Sequence, residues 1–203
     1  MKQYPEIVTN VVQGQAIYAF DKLDGSNFRA EWTSKRGFWK FGTRTRLLDR
    51  AERPLGEAID LFMAESGDEL GSRFKSERWQ EAIAFCEFWG PSSFAGNHAD
   101  EAHFASLIDV SVHKKGLLLA KDFLKLTDGL HRAKLLYHGN ANQPFVDSVK
   151  DGRLEGMTFE GVVCKGPYVR PGQPMMFKVK SQAWFDKLRG VCGNDEEKFK
   201  RLS

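Results

Sequence analysis

The stretch AIYAFDKLDGSNFRAEW, residues 16–32, begins and ends with the alternation of apolar and polar residues that is typical of strands. Between its two halves, the Asp24-Gly25 pair predicts a tight hairpin turn. The segment SKRG (34–37) predicts a second turn, and FWKFGTRT (38–45) predicts a third strand. We therefore predict a β-meander whose middle strand buries one face, formed by Phe28, Ala30 and Trp32.

The rest of the chain predicts helices beside further strands. Residues 55–82 carry apolar side chains at helical spacing, and glycines at 67 and 71 divide them into two predicted helices. Later strands are predicted in pairs, as in FASLIDVSVHKKGLLLA (104–120), where HKKG forms the tip of a hairpin. Because the strands come in hairpins and do not alternate with helices, the predicted fold class is α+β, with antiparallel β-sheets flanked by helices.

The composition is that of a globular protein with one sizeable core. Of its 203 residues, 41% are hydrophobic and 28% are charged, and no run approaches the roughly 20 apolar residues of a membrane helix. The N-terminus lacks the apolar core of a signal peptide. Three cysteines at unrelated spacings argue against a disulfide framework or a zinc site. We therefore expect one domain over residues 1–203, in the reducing cytoplasm and away from membranes.

Lys22 stands where a strand runs into a turn, and later residues make it a candidate nucleophile. A lysine attacks only when it is deprotonated, so its ordinary pKa of about 10.4 must be lowered by burial or by nearby cations. Lys178 and Lys180 alternate on a predicted strand and face the same side, so they are candidates to lower the pKa of Lys22. Glu87 and Glu160 lie within or at the start of apolar strands, where a charge needs a partner.

In this order, the segments KLDGSN, FCEFWG, LIDV, FEGVVCK and MFKVKS resemble the motifs of covalent nucleotidyltransferases, the superfamily of polynucleotide ligases and capping enzymes. The chain is most similar to ATP-dependent RNA ligases that seal nicks in duplexes. That branch favours an acidic residue directly before the lysine, an asparagine at the end of the first motif and a basic residue after the first hairpin. Asp21, Asn27 and Arg44 match these three positions, and the motifs span residues 21–180.

The resemblance implies an adenylation domain of an ATP-grasp-like ligase type, without an OB domain. It implies that Lys22 attacks the α-phosphate of ATP and carries AMP as a covalent intermediate, with Mg²⁺, or Mn²⁺ in its place, as the metal. AMP then passes to a 5′-phosphate end, and a 3′-hydroxyl displaces it to seal a nucleic acid, with a nicked duplex as the expected partner. The implied nucleotide-binding residues are Asp21, Lys22, Leu23, Asn27, Arg44, Glu87, Ile108, Lys178 and Lys180, and the implied metal residues are Glu160 and Asp24.

Two features depart from the family pattern. Ile108 stands where an aromatic residue often stacks on adenine. Residues 181–203 are long enough only for a short helical tail, so we expect neither an OB domain nor the C-terminal domain of many RNA ligases. The net charge of +3 restricts any nucleic-acid contact to a local patch.

Several alternatives stay open at this stage. The chain can be a minimal DNA ligase, a ligase that joins mixed RNA and DNA ends, or a binding module without catalysis. A guanylyltransferase is disfavoured because capping needs the OB domain. For Asp109, a purely structural role, in which it hydrogen-bonds the backbone, stays open beside a role in the site. The group of His98, Asp100 and His103 predicts a solvated loop more than a metal site.

Overall fold

We describe the chain from a computed structural model, which covers residues 3–91, 93 and 102–203. His98 and Asp100 lie outside the described residues, so the prediction for that loop stays open. Cys86, Cys164 and Cys192 are buried and free. Within the described residues, no helix is both long enough and apolar enough to cross a membrane.

The two strands on either side of Lys22 form as predicted, but they belong to different sheets. Strand β1 (Ala16–Asp21) and strand β2 (Gly25–Thr33) are joined by three residues and do not pair with each other. The predicted meander is therefore wrong at its first turn. Gly25 packs so closely on a neighbouring strand that a Cβ atom there would lie 2.3 Å from the carbonyl oxygen of Phe88. Both edges of β2 are taken by other strands, so residues 22–24 link two sheets and do not close a hairpin.

The first sheet has four strands, and every neighbouring pair in it is antiparallel. Strand β1 lies inside it, with both edges paired. The remaining strands come from the second half of the chain, and the order across the sheet is β7-β1-β8-β9. Their bounds are Leu135–Asn140 for β7, Gly161–Arg170 for β8 and Gln173–Lys180 for β9.

The second sheet has five strands in the order β3-β2-β4-β5-β6, and it too is antiparallel throughout. Strand β3 is its edge strand. The predicted hairpin with HKKG at its tip is confirmed as β5 and β6. The bounds are Gly37–Gly42 for β3, Glu81–Trp89 for β4, Phe104–Val112 for β5 and Gly116–Leu117 for β6.

Six helices flank the sheets within the described residues. Of the segment predicted to be helical, 55–82, residues 57–76 form two helices joined by a π-helical turn, Met63–Gly67, so the glycines do not interrupt the helical path. The prediction is wrong at its end, because residues 81–82 begin strand β4. The tail after β9 folds into two further helices. The bounds are Glu57–Phe62 for α1, Asp68–Ser76 for α2, Ala120–Leu126 for α3, Gln143–Lys150 for α4, Gln182–Cys192 for α5 and Glu196–Leu202 for α6.

Two main hydrophobic cores pack on the sheets, one mostly on each, although Phe20 of β1 packs in the larger one. Phe28, Ala30 and Trp32 are buried, as predicted, and they pack in the larger core with α1, α2 and α3. Ile17 and Ala19 of β1 pack in the second core, which includes α4. The α+β prediction with antiparallel sheets and flanking helices is confirmed, and the described residues form no OB domain. Residues 22–24 link two packed sheets, and Leu23 is anchored in the larger core.

Candidate nucleotide-binding and catalytic site

A cavity of about 390 Å³ opens where the two sheets meet. It receives residues from β1, from β2, from the middle of β4 and β5, and from β9. Most of the residues predicted for the site line this cavity: Asp21, Lys22, Leu23, Asn27, Arg44, Glu87, Ile108 and Lys178. A larger cavity of about 710 Å³ lies beside the N-terminal segment and the β8–β9 turn, but none of the predicted site residues lines it.

Lys22 is anchored by its backbone and by its side chain. Its N–H donates to the carbonyl oxygen of Gly161 at 2.9 Å, and its Nζ donates to Glu160 Oε2 at 2.7 Å. Gly161 has φ +137°, and a Cβ atom there would lie 2.1 Å from the carbonyl oxygen of Val179. The glycine after Glu160 is therefore required for the close approach of β8 to β9, which sets the position of the glutamate. The Lys22 side chain remains 21% exposed.

The charge state of Lys22 differs from the prediction. Burial acts to lower its pKa, but the Glu160 and Glu87 carboxylates outweigh burial, and the pKa is raised. The prediction that Lys178 and Lys180 keep Lys22 neutral is therefore wrong for this arrangement. The physical reason is the contact with Glu160, because a carboxylate within hydrogen-bonding distance favours the charged amine and, together with Glu87, outweighs burial.

Lys178 and Lys180 lie on one face of β9, as predicted, but they have different surroundings. Lys178 lines the cavity, and burial together with the charges of Lys22 and Arg44 lowers its pKa. Lys180 is buried, with Nζ 3.2 Å from Glu160 Oε1 and 3.5 Å from the centre of the Trp184 ring. Burial and the neighbouring lysines lower its pKa to about 8. Glu160 thus holds one lysine on each carboxylate oxygen.

Asn27 and Glu87 face each other across the β2–β4 pair and enter the cavity together. Burial, with the negative charges of Glu160 and Asp24, raises the pKa of Glu87 to about 7, although Lys22 and a hydrogen bond from Asn27 oppose this shift. Glu87 is therefore a carboxyl group that can carry its proton near neutral pH. Such a group can donate a hydrogen bond to a ligand hydroxyl as well as accept one.

The other predicted nucleotide-binding residues have simpler positions. Asp21 is buried, and its Oδ1 accepts hydrogen bonds from the backbone N–H and the hydroxyl of Thr158, at 3.0 and 3.2 Å. Leu23 and Ile108 supply apolar wall, and Arg44 is an exposed cation at the rim. An apolar wall with a few polar groups suits a flat aromatic ring such as a purine.

The two residues predicted for the metal lie near Lys22 but outside the cavity lining. Glu160 and Asp24 are both buried, and both act on the pKa of Lys22. Among the described residues, no group of three or more His, Cys, Asp or Glu side chains could hold a metal ion. Mg²⁺ commonly uses one or two carboxylates together with substrate phosphates and waters, so these two acids fit a metal that arrives with a nucleotide.

Sequence reasoning missed a second ion pair under the cavity. Lys165 Nζ lies 2.9 Å from Asp109 Oδ2, and both side chains are almost fully buried. The Tyr4 hydroxyl donates to the same carboxylate at 3.1 Å. Lys165 and Tyr4 also line the cavity. A lysine at the end of the apolar strand GVVCK was the available signal for this pair, whereas no feature around Tyr4 indicated its position.

The fold resembles solved structures of Naegleria gruberi RNA ligase. A mutant of that enzyme with AMP and Mn matches with a TM-score of 0.65 and 15% identity, over 91% of this chain and 59% of that one. A mutant with ATP and Mn and a structure with PPi each match with a TM-score of 0.64 and 16% identity, over 86% of this chain and 52% of the other. This chain therefore spans between half and three fifths of those chains.

No protein-family model matches the sequence, and no curated protein matches it. At identities of 15–16%, the likeness to the solved structures is a likeness of fold. The chain therefore has an α+β fold similar to that of the solved RNA ligase structures, which is the fold class that the sequence predicted.

Proposed function

We propose that this chain is the catalytic domain of an ATP-dependent RNA ligase that works through a Lys22–AMP intermediate. The observation that carries the proposal is the position of Lys22. Lys22 lines a cavity that is large enough for a nucleotide, and its Nζ contacts Glu160. The cations Lys178 and Arg44 line the same cavity. A lone surface lysine would need none of these neighbours.

In the first step, Lys22 Nζ gives up a proton to solvent, and the nitrogen attacks the α-phosphorus of ATP. An N–P bond forms, and the P–O bond to pyrophosphate breaks. Lys178, which lines the cavity, and Lys180, which lies behind it against Glu160, would offset the negative charge that builds on the phosphate oxygens. The proton shared between Lys22 and Glu160 must leave Nζ first, because the pKa of Lys22 is raised in this arrangement.

The two later steps are also displacements at phosphorus and use the same cations. A 5′-phosphate oxygen of the nucleic acid attacks the lysine-bound AMP, and Nζ leaves and regains a proton. The 3′-hydroxyl of the second strand end then loses its proton and attacks the 5′-phosphate, and AMP departs. In each transition state the phosphorus has five oxygen or nitrogen neighbours and its oxygens carry negative charge. Lys178 and Arg44 would stabilise that charge.

Glu160 and Asp24 are the residues proposed to hold Mg²⁺ or Mn²⁺. When bound, the ion would neutralise phosphate charge and would compete with Lys22 for the Glu160 carboxylate. The solved RNA ligase structures that contain ATP or AMP with Mn support this choice of nucleotide and metal.

For the nucleotide itself, we propose that Leu23 and Ile108 enclose the adenine, with Asp21 beside it. Asn27 and Glu87 would hold the ribose hydroxyls or orient the phosphate. The partly protonated Glu87 suits a ribose hydroxyl because it can both donate and accept. The preference for RNA over DNA is supported by the likeness to RNA ligase structures and by Asn27 at the end of the first motif.

The test is covalent labelling. The protein is incubated with Mg²⁺ and each α-labelled NTP, and then with NAD labelled in its AMP half, and label is sought on the denatured chain. We expect label from ATP alone, lost in Lys22→Ala and retained in the matched surface variant Lys150→Ala. Label from GTP would indicate capping chemistry, and no label from any NTP or from NAD would overturn the covalent mechanism.

A second assay addresses the substrate. Nicked duplexes with a 5′-phosphate are offered with RNA, DNA or mixed strands at the nick, and sealing is read on denaturing gels. We expect sealing to be fastest with RNA at the nick. Faster sealing of an all-DNA nick would favour a minimal DNA ligase, and labelling without any sealing would contradict the ligase proposal.

A further inference from the structure

Positive charge is concentrated in one short part of the chain. Residues 35–53 contain seven Lys or Arg residues and two acidic ones, a net charge of +5, although the whole chain carries only +3. The remainder of the protein is therefore slightly acidic. A basic segment in an otherwise balanced chain is the local patch that nucleic-acid binding requires.

This segment leads from the edge of the five-stranded sheet to the nucleotide cavity. It comprises β3, which is an edge strand, and the loop that follows it, where Arg44 lines the cavity. Trp39 lies five residues before Arg44, so the two are at most roughly 18 Å apart along the chain. The segment is therefore continuous with the proposed active site, and a few nucleotides can span its length.

Trp39 is the unusual residue on this strand. Its side chain is 44% exposed, and two cations of the same strand region lie against its ring. The Arg36 guanidinium is 4.8 Å from the ring centre, and Lys40 Nζ is 5.6 Å from it. A β-bulge between Glu31 and Trp32 shifts the pairing of β2 with β3 at this point. Such bulges commonly re-aim a side chain.

Protection of the sheet edge explains the cations but not the tryptophan. Lysine and other charges on edge strands prevent pairing with a second chain. A large exposed aromatic side chain works against that protection. A flat aromatic ring flanked by cations is instead the arrangement that stacks on a base while the cations contact phosphates.

We propose that Arg36, Trp39 and Lys40 form a docking platform for one strand of the RNA substrate. A base stacks on Trp39, the neighbouring phosphates contact Arg36 and Lys40, and the strand continues past Arg44 to the cavity. This inference rests on the proposed ligase function and names where that function holds its nucleic acid. Two nearby acids have cation partners: Glu31 lies 3.4 Å from both Arg29 and Lys40, and Glu52 pairs with Arg46. A phosphate at Lys40 therefore replaces Glu31 as its partner, while Arg29 stays beside Glu31.

The experiment measures binding of a 3′-labelled RNA strand of about 12 nucleotides by fluorescence anisotropy at several salt concentrations, without ATP. We expect Trp39→Ala to weaken binding about 5- to 150-fold, with an unchanged slope of log affinity against log salt. We expect the double variant Arg36→Ala/Lys40→Ala to lower that slope by about 1.4, because each released phosphate contact contributes about 0.7 on a single strand.

Two control variants separate the platform from general effects. Tyr168→Ala removes an aromatic ring that is 42% exposed on the other sheet, and it should bind RNA as the wild type does. Lys121→Ala/Lys125→Ala removes two exposed cations from α3 and should leave the slope unchanged. Trp39→Phe keeps a ring for stacking and should retain most of the affinity.

Covalent labelling by ATP is measured on every variant, so that the two proposals fail separately. Labelling of Trp39→Ala within twofold of wild type shows that the fold and the nucleotide site are intact. If the Trp39→Ala variant is labelled by ATP normally and also binds RNA as tightly as wild type, the platform is wrong and the ligase proposal stands. A slope for Arg36→Ala/Lys40→Ala equal to that of the α3 control would also overturn the platform. Absence of labelling in the wild type would overturn the ligase proposal itself.

Discussion

Two lysine–carboxylate pairs lie beside the same cavity, and they differ in how much of their side chains is exposed to solvent. We call the more buried one, Lys165–Asp109, the closed pair and the more exposed one, Lys22–Glu160, the open pair. In the Lys165–Asp109 pair the side chains are 2% and 0% exposed, and in the Lys22–Glu160 pair they are 21% and 5% exposed. The N–O distances are similar, 2.9 and 2.7 Å. The difference therefore lies in the surroundings of each pair and not in its contact.

The closed pair has every neighbour that it needs. Lys165 Nζ also donates to the carbonyl oxygen of Ile108 at 2.6 Å and lies over the rings of Phe20 and Phe123. The carboxylate of Asp109 accepts from the Tyr4 hydroxyl and the Val110 N–H. A buried pair in which both the ammonium and the carboxylate have further partners is stabilised as a structural element.

The open pair is shared and exposed. Glu160 divides its two oxygens between Lys22 and Lys180, and Lys22 faces the cavity. A ligand that enters can therefore take over one partner without leaving an unpaired charge in the core. The comparison teaches that exposure and sharing, and not the ion pair itself, distinguish the lysine proposed to react from the buried structural one.

The largest expected effect comes from replacing Lys22 by arginine. Lys22→Arg keeps a cation beside Glu160, but a guanidinium stays protonated and cannot act as the nucleophile. We expect covalent labelling by ATP to fall at least about 1,000-fold, while the midpoint of urea unfolding stays close to that of wild type. Labelling of the arginine variant at the wild-type level would show that the nucleophile is another residue, and the contrast between the Lys22–Glu160 and Lys165–Asp109 pairs would then not concern reactivity.

The next effect is on stability, in the closed pair. Lys165→Met leaves the Asp109 charge buried without its cation, and we expect a loss of about 3–5 kcal/mol in the free energy of unfolding, measured in urea. The double variant Lys165→Met/Asp109→Asn removes the stranded charge and should recover at least half of that loss. If the single variant is as stable as wild type, the pair is not the buried, fully satisfied element described above.

A smaller effect is expected from Glu87, and it depends on pH. Its pKa is raised from 4.5 to about 7, so the folded chain binds this proton more tightly than the unfolded chain. The contribution of Glu87 to stability is therefore present below pH 4.5 and is lost as pH rises through 7. We expect Glu87→Gln to gain stability relative to wild type between pH 5 and pH 8, by no more than about 3 kcal/mol.

Urea unfolding of wild type and Glu87→Gln at pH 5 and at pH 8 tests this prediction, and Glu77→Gln serves as a matched surface control. An opposite trend, with wild type gaining on the variant as pH rises, would mean that Glu87 is ionised throughout and belongs with Glu160 as a paired carboxylate.

The smallest effect is expected from Tyr4, which donates a hydrogen bond to Asp109 of the closed pair. Tyr4→Phe removes one hydrogen bond to Asp109 while Lys165 and the Val110 N–H stay in place. We expect a loss of about 1 kcal/mol in the free energy of unfolding, with ATP labelling within twofold of wild type. A loss of labelling without a loss of stability would instead assign Tyr4 to nucleotide binding.

The sequence by itself determined the local elements and the list of candidate residues. Alternation of apolar residues predicted the strands, and eight of the predicted site residues, including Lys22 and Lys178, line one cavity. These signals are local, because the period of a strand and the residue types of a motif are written in consecutive positions. The α+β class followed from the same patterns.

Only the tertiary structure decided which strands pair and which charges meet. The turn at Asp24-Gly25 resembled a hairpin, but β1 and β2 separate into two sheets because their edges are taken by strands distant in sequence. The contact between Lys22 and Glu160, 138 residues apart, raises a pKa that neighbouring lysines were expected to lower. Pairing partners and electrostatic neighbours depend on distances in space, and a sequence pattern does not contain those distances until the chain has folded.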